Sequence, residues 1–91
     1  MYSDITFDPL KDAINCLQHG VSLRLASEIA WDEVVLEVDD RRDYGEVREV
    51  GYMPIRGRMF CVVLTQRNKS RRIISLRRAN KRETRRYKKG L

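Results

Sequence analysis

The sequence predicts a single α+β domain over residues 1–91: a short strand and two helices, then an antiparallel sheet, then a last helix. Three observations lead to this order. Apolar residues recur at helical spacing only in the first third of the chain, alternation with a period of two fills the middle, and the C-terminal end is a basic tract that opens with a helix-capping pattern. Ninety-one residues are near the lower limit for a self-sufficient core.

The chain opens with a predicted short edge strand, residues 5–7, and an amphipathic helix. Asp8 is a good N-cap acceptor, Pro9 suits the first helical position, and Gly20 suits the left-handed residue that ends a helix. The apolar residues of this helix recur at i, i+3, i+4 and i+7. We expect that stripe to be buried: Leu10, Ala13, Ile14 and Leu17.

A second, shorter helix completes a predicted helical hairpin. Ser22 is its N-cap, its apolar positions are Leu25, Ala26 and Ile29, and it ends near Trp31. A four-stranded antiparallel meander follows, with strands at about 34–38, 46–53, 59–64 and 72–77 and connections at 39–45, 54–57 and 66–71. The third strand is apolar on both faces, so it should be the central one.

The last predicted element is a basic helix from Lys81 to about Lys89. Asn80 and Glu83 have the spacing of a capping box, in which each side chain binds the other residue's backbone N–H. Tyr87 is almost the only apolar residue of this helix. A membrane-surface helix needs an apolar face, so that role is disfavoured.

Charge is divided sharply along the chain. Residues 56–91 hold fourteen of the nineteen Lys and Arg residues and a single acid, Glu83, whereas residues 1–55 hold twelve acids. A local excess of positive charge attracts polyanions, and the commonest polyanion for a small intracellular protein is nucleic acid.

Several classes of protein are disfavoured. No apolar run approaches the roughly 18 residues of a membrane span, and the acidic N-terminus is not a secretory signal. Cys16 and Cys61 are interpreted as reduced core thiols of a cytosolic protein. Soft ligands are too few for structural zinc, and Arg41 and Arg42 would compete for the carboxylates of the acidic loop at 39–43. We therefore expect neither metal nor cofactor.

One polar row on the first helix is a candidate site. Lys11, Asn15 and His19 are spaced i, i+4 and i+8, so they lie close to one line on the helix surface. A lysine, an amide and an imidazole in line could hold a phosphate and move a proton. The alternative is a solvated polar face on which His19 favours the negative end of the helix dipole.

A second candidate is the set of arginines near the ends of the last two strands. Guanidinium groups suit phosphate oxygens, and their placement predicts a cluster in one region of the sheet: Arg58, Arg67, Arg72, Arg77 and Arg78. The alternative is that several of them pair with acids of residues 28–49.

Four blocks of residues follow one another along nearly the whole chain. The first two are Phe7-Asp8, Lys11, Asn15, His19 to Ser22 and Ala26, then Asp40 to Glu46 with Arg48 and Gly51. The others are Gly57-Arg58, Val62-Val63, Thr65 and Arg67, then Arg72 to Ser75, Arg77, Ala79 to Glu83 and Tyr87. In this order they resemble the BrnT family of toxins. Leu64 and Leu76 depart from the family pattern, which commonly has an aromatic and a small residue there; both changes bear on packing.

This resemblance implies a ribonuclease toxin of a type II toxin–antitoxin pair, with a RelE-like fold, that arrests translation in the cytoplasm. It also implies a BrnA-type antitoxin partner that covers the toxin and binds DNA, so that DNA is reached only through the antitoxin. On this basis we expect metal-independent cleavage of RNA. The expected catalytic residues are Lys11, His19, Arg67 and Arg77, and the expected RNA-binding residues are Asn15, Arg58, Arg72, Arg78, Lys81, Arg82 and Tyr87. The competing hypothesis is a non-catalytic RNA- or DNA-binding module.

Overall fold

The computed structural model describes residues 5–40, 45–67 and 69–89, and in these ranges it contains a five-stranded sheet, two α-helices and two 3-10 helices. In chain order the elements are β1 (Ile5–Thr6), α1 (Pro9–His19), 3-10 helices at Leu23–Glu28 and Trp31–Glu33, β2 (Leu36–Val38), β3 (Glu49–Ile55), β4 (Arg58–Arg67), β5 (Ser70–Arg78) and α2 (Lys81–Lys89). None of these helices is long and apolar enough to cross a membrane.

The strand order is β1-β5-β4-β3-β2. Strands β2 to β5 pair antiparallel with their chain neighbours, and β1 adds a fifth strand parallel to β5. The α+β class is therefore correct, the short edge strand predicted at residues 5–7 is present as β1 and joins the sheet as its fifth strand, and β4 is the central strand as expected. The last two predicted connections are shorter in the structure, because β3 runs through Ile55 and β5 begins at Ser70.

The hydrophobic core lies on one face of the sheet. Side chains from β3, β4 and β5 pack there against the first 3-10 helix: Leu23, Ala26, Ile29, Met53, Ile55, Phe60, Val62, Leu64, Ile73 and Leu76. The predicted second helix is thus present as a 3-10 helix. It begins at the predicted cap, because Ser22 Oγ accepts a 3.1 Å hydrogen bond from the Arg24 N–H, and Asp12 Oδ1 accepts the Leu23 N–H at 2.7 Å.

Helix α1 has the predicted ends but the opposite orientation. Asp8 caps its start by accepting the Leu10 N–H at 2.9 Å, and Gly20 follows it at φ 74°. The apolar stripe that we expected to be buried faces solvent instead: Leu10 is 68% exposed, Ile14 44% and Leu17 88%. Cys16 is also exposed, so of the two cysteines predicted to be core thiols only Cys61 is buried, and it lies on the face of the sheet opposite the core.

Asn15 is the residue of α1 that is buried, and its contacts explain the orientation of the helix. Its Nδ2 donates to the carbonyls of Leu76 (2.8 Å) and Val21 (2.9 Å), and its Oδ1 accepts the Leu76 N–H at 3.2 Å. Leu76 lies in β5, beyond the two residues that pair with β1. A bare strand edge leaves backbone groups without partners. The Asn15 amide satisfies them, so α1 turns the side that carries Asn15 toward β5.

Candidate functional site

The face of the sheet opposite the core carries polar side chains and is covered in part by α2, which packs on β3. The strand register sets Tyr52 beside Cys61, Cys61 beside Arg77, and Thr65 beside Arg72. We call this side of the sheet, on which Cys61 and Thr65 are themselves buried, the open face.

A β-bulge places two arginines of β5 on the open face together. Arg72 and Arg77 are five residues apart, and strict alternation would put them on opposite faces. The β4–β5 register shifts between Val63 and Leu64, which leaves Ile74 without a partner residue. The extra residue restores the phase, so both arginines lie on the open face.

Arg77 is held by a carboxylate at the start of α2. Its Nη1 and Nη2 each donate to Glu83 at 2.9 Å, one to each carboxylate oxygen. Glu83 Oε2 also accepts the Tyr52 hydroxyl at 3.3 Å, and Glu83 Oε1 accepts the Asn80 N–H at 2.9 Å. The Glu83 N–H in turn donates to Asn80 Oδ1 at 2.8 Å, so the predicted capping box is confirmed. The same carboxylate thus caps α2 and fixes Arg77.

The charges of this group are well defined at neutral pH. The pKa of Glu83 is lowered to about 2, mainly because Arg77 donates hydrogen bonds to its carboxylate. The hydrogen bond from the Asn80 N–H also lowers this pKa, whereas burial raises it. Burial, followed by the neighbouring Cys61 and Glu83, raises the pKa of Tyr52 to about 12. Bonding to Glu83 raises the pKa of Arg77 above its ordinary value.

These pKa directions define what the group can do. An ionised Glu83 with so low a pKa is a weak proton acceptor, and Tyr52 remains a neutral hydroxyl donor. Arg77 is a permanent cation whose position is fixed before any ligand arrives. Such a fixed cation suits a phosphate oxygen or a developing negative charge.

Basic side chains gather at the same end of the sheet, on the other side of α2. One open depression of about 520 Å³ is lined by Pro54, Gly57, Arg58, Met59, Arg78, Ala79, Thr84 and Lys88. A second, of about 350 Å³, is lined by Ala79, Lys81, Thr84, Arg85 and Lys88. None of the described residues that line them is acidic. We call the two depressions the basic groove. The structure therefore brings Arg58, Arg78 and Lys81 together.

Arg67 lies far from this group. It ends β4, whereas Arg58 begins it, and nine residue steps of about 3.3 Å separate their backbones by roughly 30 Å. Arg67 Nη2 pairs with Glu46 Oε1 at 2.9 Å. The prediction of one converging arginine cluster is wrong, because antiparallel pairing puts the start of β4 beside the end of β5 and the end of β4 beside its start. The predicted pairing of some arginines with N-terminal acids is correct for Arg67, and also for Arg56 with Glu28.

The polar row on α1 is divided by the orientation of the helix. Lys11 and His19 are exposed, whereas Asn15 is 4% exposed and its amide is used by Val21 and Leu76. The expectation that Asn15 contacts phosphate does not fit this burial, and the structure gives it the role of positioning α1 on β5.

An aromatic cavity of about 340 Å³ lies between α2 and strands β2 and β3. It is lined by Val35, Glu37, Val50, Tyr52, Glu83, Arg86 and Tyr87. We call it the tyrosine cavity. Tyr87 was expected from the sequence, whereas Tyr52 and Glu37 were missed. The sequence did contain an indication for Tyr52. It precedes Met53 in a predicted strand, so the two large side chains point to opposite faces and Tyr52 lies on the face away from the core. Arg82 is exposed on α2, one turn before Arg86, and does not line this cavity.

Within the described residues, no three His, Cys, Asp or Glu side chains gather as metal ligands. Residues 41–44 of the acidic loop, with Arg41, Arg42 and Asp43, lie outside them.

Comparison with known proteins decides the family. Residues 7–83 match the family model described as the ribonuclease toxin, BrnT, of type II toxin–antitoxin systems. This chain belongs to the BrnT family. The crystal structure of the Brucella abortus ribonuclease toxin BrnT is similar in fold, with a TM-score of 0.63, 17% identity, and coverage of 86% of this chain and 97% of the Brucella chain. No curated protein matches the sequence significantly.

Proposed function

We propose that this BrnT-family chain, residues 1–91 as one domain, is the toxin of a type II pair and cleaves RNA internally without a metal. The observation that carries the proposal is the fixed Arg77 on the open face: its partner Glu83 lines the tyrosine cavity, and the next residue, Arg78, lines the basic groove. A charge that is already in place costs no rearrangement when negative charge develops on a phosphate. The family match supports the substrate class.

The reaction needs only groups that the RNA and the protein supply. The ribose 2′-oxygen forms a bond to the adjacent phosphorus while the bond to the 5′-oxygen breaks, giving a cyclic phosphate end and a 5′-hydroxyl end. His19 or Lys11 takes the 2′ proton or supplies the proton to the leaving oxygen, and Arg77 stabilises the charge on the phosphoryl oxygens. A positioned acid or base is worth about 10²–10⁴-fold and one fixed donor about 10²–10³-fold.

The rest of the basic surface holds the RNA backbone. Arg58, Arg78 and Lys81 bind phosphates in the basic groove, Arg82 adds charge on the exposed side of α2, and Arg72 binds a phosphate farther along the open face. Arg67, placed beyond Arg72, serves as a distant phosphate contact, a change from the catalytic role first expected. In this proposal the protein is RelE-like, because RNA binds on an open face of its sheet.

The deciding experiment is incubation of purified protein with RNA in EDTA. Internal cleavage is expected from the wild type, and a loss of about 10²–10³-fold from Arg77→Ala. His19→Ala should also be impaired. Arg24→Ala, which removes an exposed arginine of the first 3-10 helix, is the matched control, and circular dichroism checks the fold of each variant.

Two results would count against parts of this proposal. If RNA is cut only after Mg²⁺ is added, the protein is still a ribonuclease, but the proposal that cleavage is metal-independent is wrong. RNA that is bound in a gel but never cut would favour the second candidate, a non-catalytic nucleic-acid-binding module. The observation that favours this candidate is α2 itself, in which Lys81, Arg82, Arg85, Arg86, Lys88 and Lys89 are all basic.

A protein antitoxin is the expected partner, in keeping with a type II pair. We propose a BrnA-type antitoxin that lies over β5 and α2 and that alone contacts DNA, while the free toxin arrests translation in the cytoplasm. Hydrogen exchange of free and bound toxin tests the surface: protection should rise in residues 67–89, and unchanged protection there would contradict it.

A further inference from the structure

The tyrosine cavity has the size and the lining of a site for a planar ring. Val50 and Tyr52 of β3 form its floor, and α2 supplies a wall with Tyr87. Both tyrosines are half-buried, whereas Val35 at the rim is 77% exposed. An apolar, partly enclosed space with two aromatic rings favours the stacking of nucleobases, which all have a π-face.

Opposite charges stand on two walls of this cavity. Glu37 comes from the edge strand β2, and Arg86 comes from α2, three residues after Glu83. Glu83 itself is engaged by Arg77, Tyr52 and Asn80. Neither Glu37 nor Arg86 forms a hydrogen bond or ion pair with another residue that the structure describes. Their polar groups can therefore bind the edges of a stacked ring.

The pair of charges distinguishes among the four bases. A carboxylate accepts hydrogen bonds, and guanine offers two adjacent donors, N1–H and the N2 amino group. A guanidinium donates, and guanine offers two adjacent acceptors, O6 and N7, to a bidentate arginine. Adenine, cytosine and uracil each lack one of these paired edges. We infer that the tyrosine cavity binds guanine, stacked on tyrosine, with Glu37 and Arg86 reading its edges.

This inference rests on the proposed ribonuclease function, since it gives the RNA site a base preference. The cavity adjoins Arg77 through Glu83, so a guanine bound there would place its own phosphates near the fixed guanidinium. Glu37 and Arg86 are then specificity-determining residues, distinct from the phosphate-binding arginines.

Nucleotide binding tests the cavity without requiring cleavage. The four 5′-monophosphates GMP, AMP, CMP and UMP carry the same phosphate, so calorimetric differences among them report the base. GMP should bind about 10-fold tighter than the other three, and Glu37→Gln should remove that advantage while leaving AMP affinity unchanged. Tyr87→Ala should weaken all four by roughly 10-fold through lost stacking. Glu33→Gln, an exposed carboxylate on the second 3-10 helix, is the matched control.

Cleavage of an RNA pool of random sequence provides the second readout. Cut sites should share a guanine at one fixed position, and Glu37→Gln should weaken that preference by about 10-fold with cutting retained. Equal affinity for the four nucleotides, or the absence of nucleotide binding, overturns the inference even if RNA is cut. Selective GMP binding without any RNA cleavage would support the guanine site and contradict the ribonuclease proposal instead.

Discussion

A single buried amide decides how α1 sits on the molecule. Asn15 binds both backbone groups of Leu76 and the Val21 carbonyl, so it does for β5 what a neighbouring strand would do. An apolar residue at this position could fill the space but would leave the backbone groups of the strand without partners. As a result α1 buries the polar residue Asn15, while its apolar stripe faces solvent.

Replacement of Asn15 should therefore destabilise the fold. Asn15→Ala is expected to lower the free energy of unfolding by about 2–4 kcal/mol, because it leaves two buried backbone groups of Leu76 without their partners. Gln18→Ala, on the exposed side of the same helix, should change it by less than about 0.5 kcal/mol. Urea unfolding measures both. Loss of RNA cleavage at unchanged stability would instead make Asn15 a ligand contact.

Glu83 gives the stability of the protein a defined pH dependence. Its pKa in the folded state is about 2, against an ordinary value of 4.5, so the folded state favours the ionised form. This contribution is fully present above pH of about 5 and is lost as the pH falls through about 2.

Comparison with Glu83→Gln isolates that contribution. The wild type should be the more stable protein at neutral pH, and the difference should shrink between pH 4.5 and about 2 as Glu83 takes up a proton. Glu33→Gln controls for the loss of one negative charge. Thermal unfolding across this range provides the measurement, and a difference that stays constant down to pH 2 would argue against the Arg77–Glu83 interaction.

At the scale of elements, periodicity located α1 but did not show which side it buries. Leu10, Ile14 and Leu17 have the spacing of a buried stripe, yet all three face solvent. The core is supplied by the 3-10 helix that follows, with Leu23 fully buried. A spacing pattern states only that apolar residues share one side of a helix, and the neighbouring element decides which side meets the core.

Two leucine substitutions distinguish the two orientations of α1. Leu17→Ser should change the free energy of unfolding by less than about 0.5 kcal/mol, because the side chain is 88% exposed. Leu23→Ala should cost about 2–5 kcal/mol through lost burial and a cavity. Chemical denaturation tests both, and a large cost for Leu17→Ser would show that the stripe is buried after all.

At the scale of the whole molecule, charge and topology together create an extended basic surface. Antiparallel pairing distributes eight of the fourteen basic residues of the last 36 positions to the two ends of β4 and β5, and α2 carries the other six. The bulge at Ile74 then aligns Arg72 with Arg77 on the open face. A linear polyanion suits such a track better than a compact ligand does, because separated cations can bind successive phosphates.

This layout predicts different kinetic effects for two arginines. Arg77→Ala should lower kcat for RNA cleavage by about 10²–10³-fold, because the proposed mechanism has Arg77 act on the reacting phosphate. Arg67→Ala should raise KM severalfold and leave kcat near the wild-type value, because the proposed role of Arg67 is to contact a distant phosphate. Steady-state kinetics on one RNA substrate separates the two, and a large fall in kcat for Arg67→Ala would restore the catalytic role first assigned to it.

Five features follow from the amino-acid sequence alone: the α+β class, the central strand, both helix caps of α1, the capping box of α2 and the basic end of the chain. Each of these depends on residues that are neighbours in the chain, where dihedral preferences and short-range hydrogen bonds act. The tertiary structure alone decided that Asn15 is buried, that Arg67 is separated from Arg58, and that Arg72 and Arg77 share a face. Those outcomes depend on which strand edges need partners and on one unpaired residue in a β-ladder, and both are set by contacts between residues far apart in sequence.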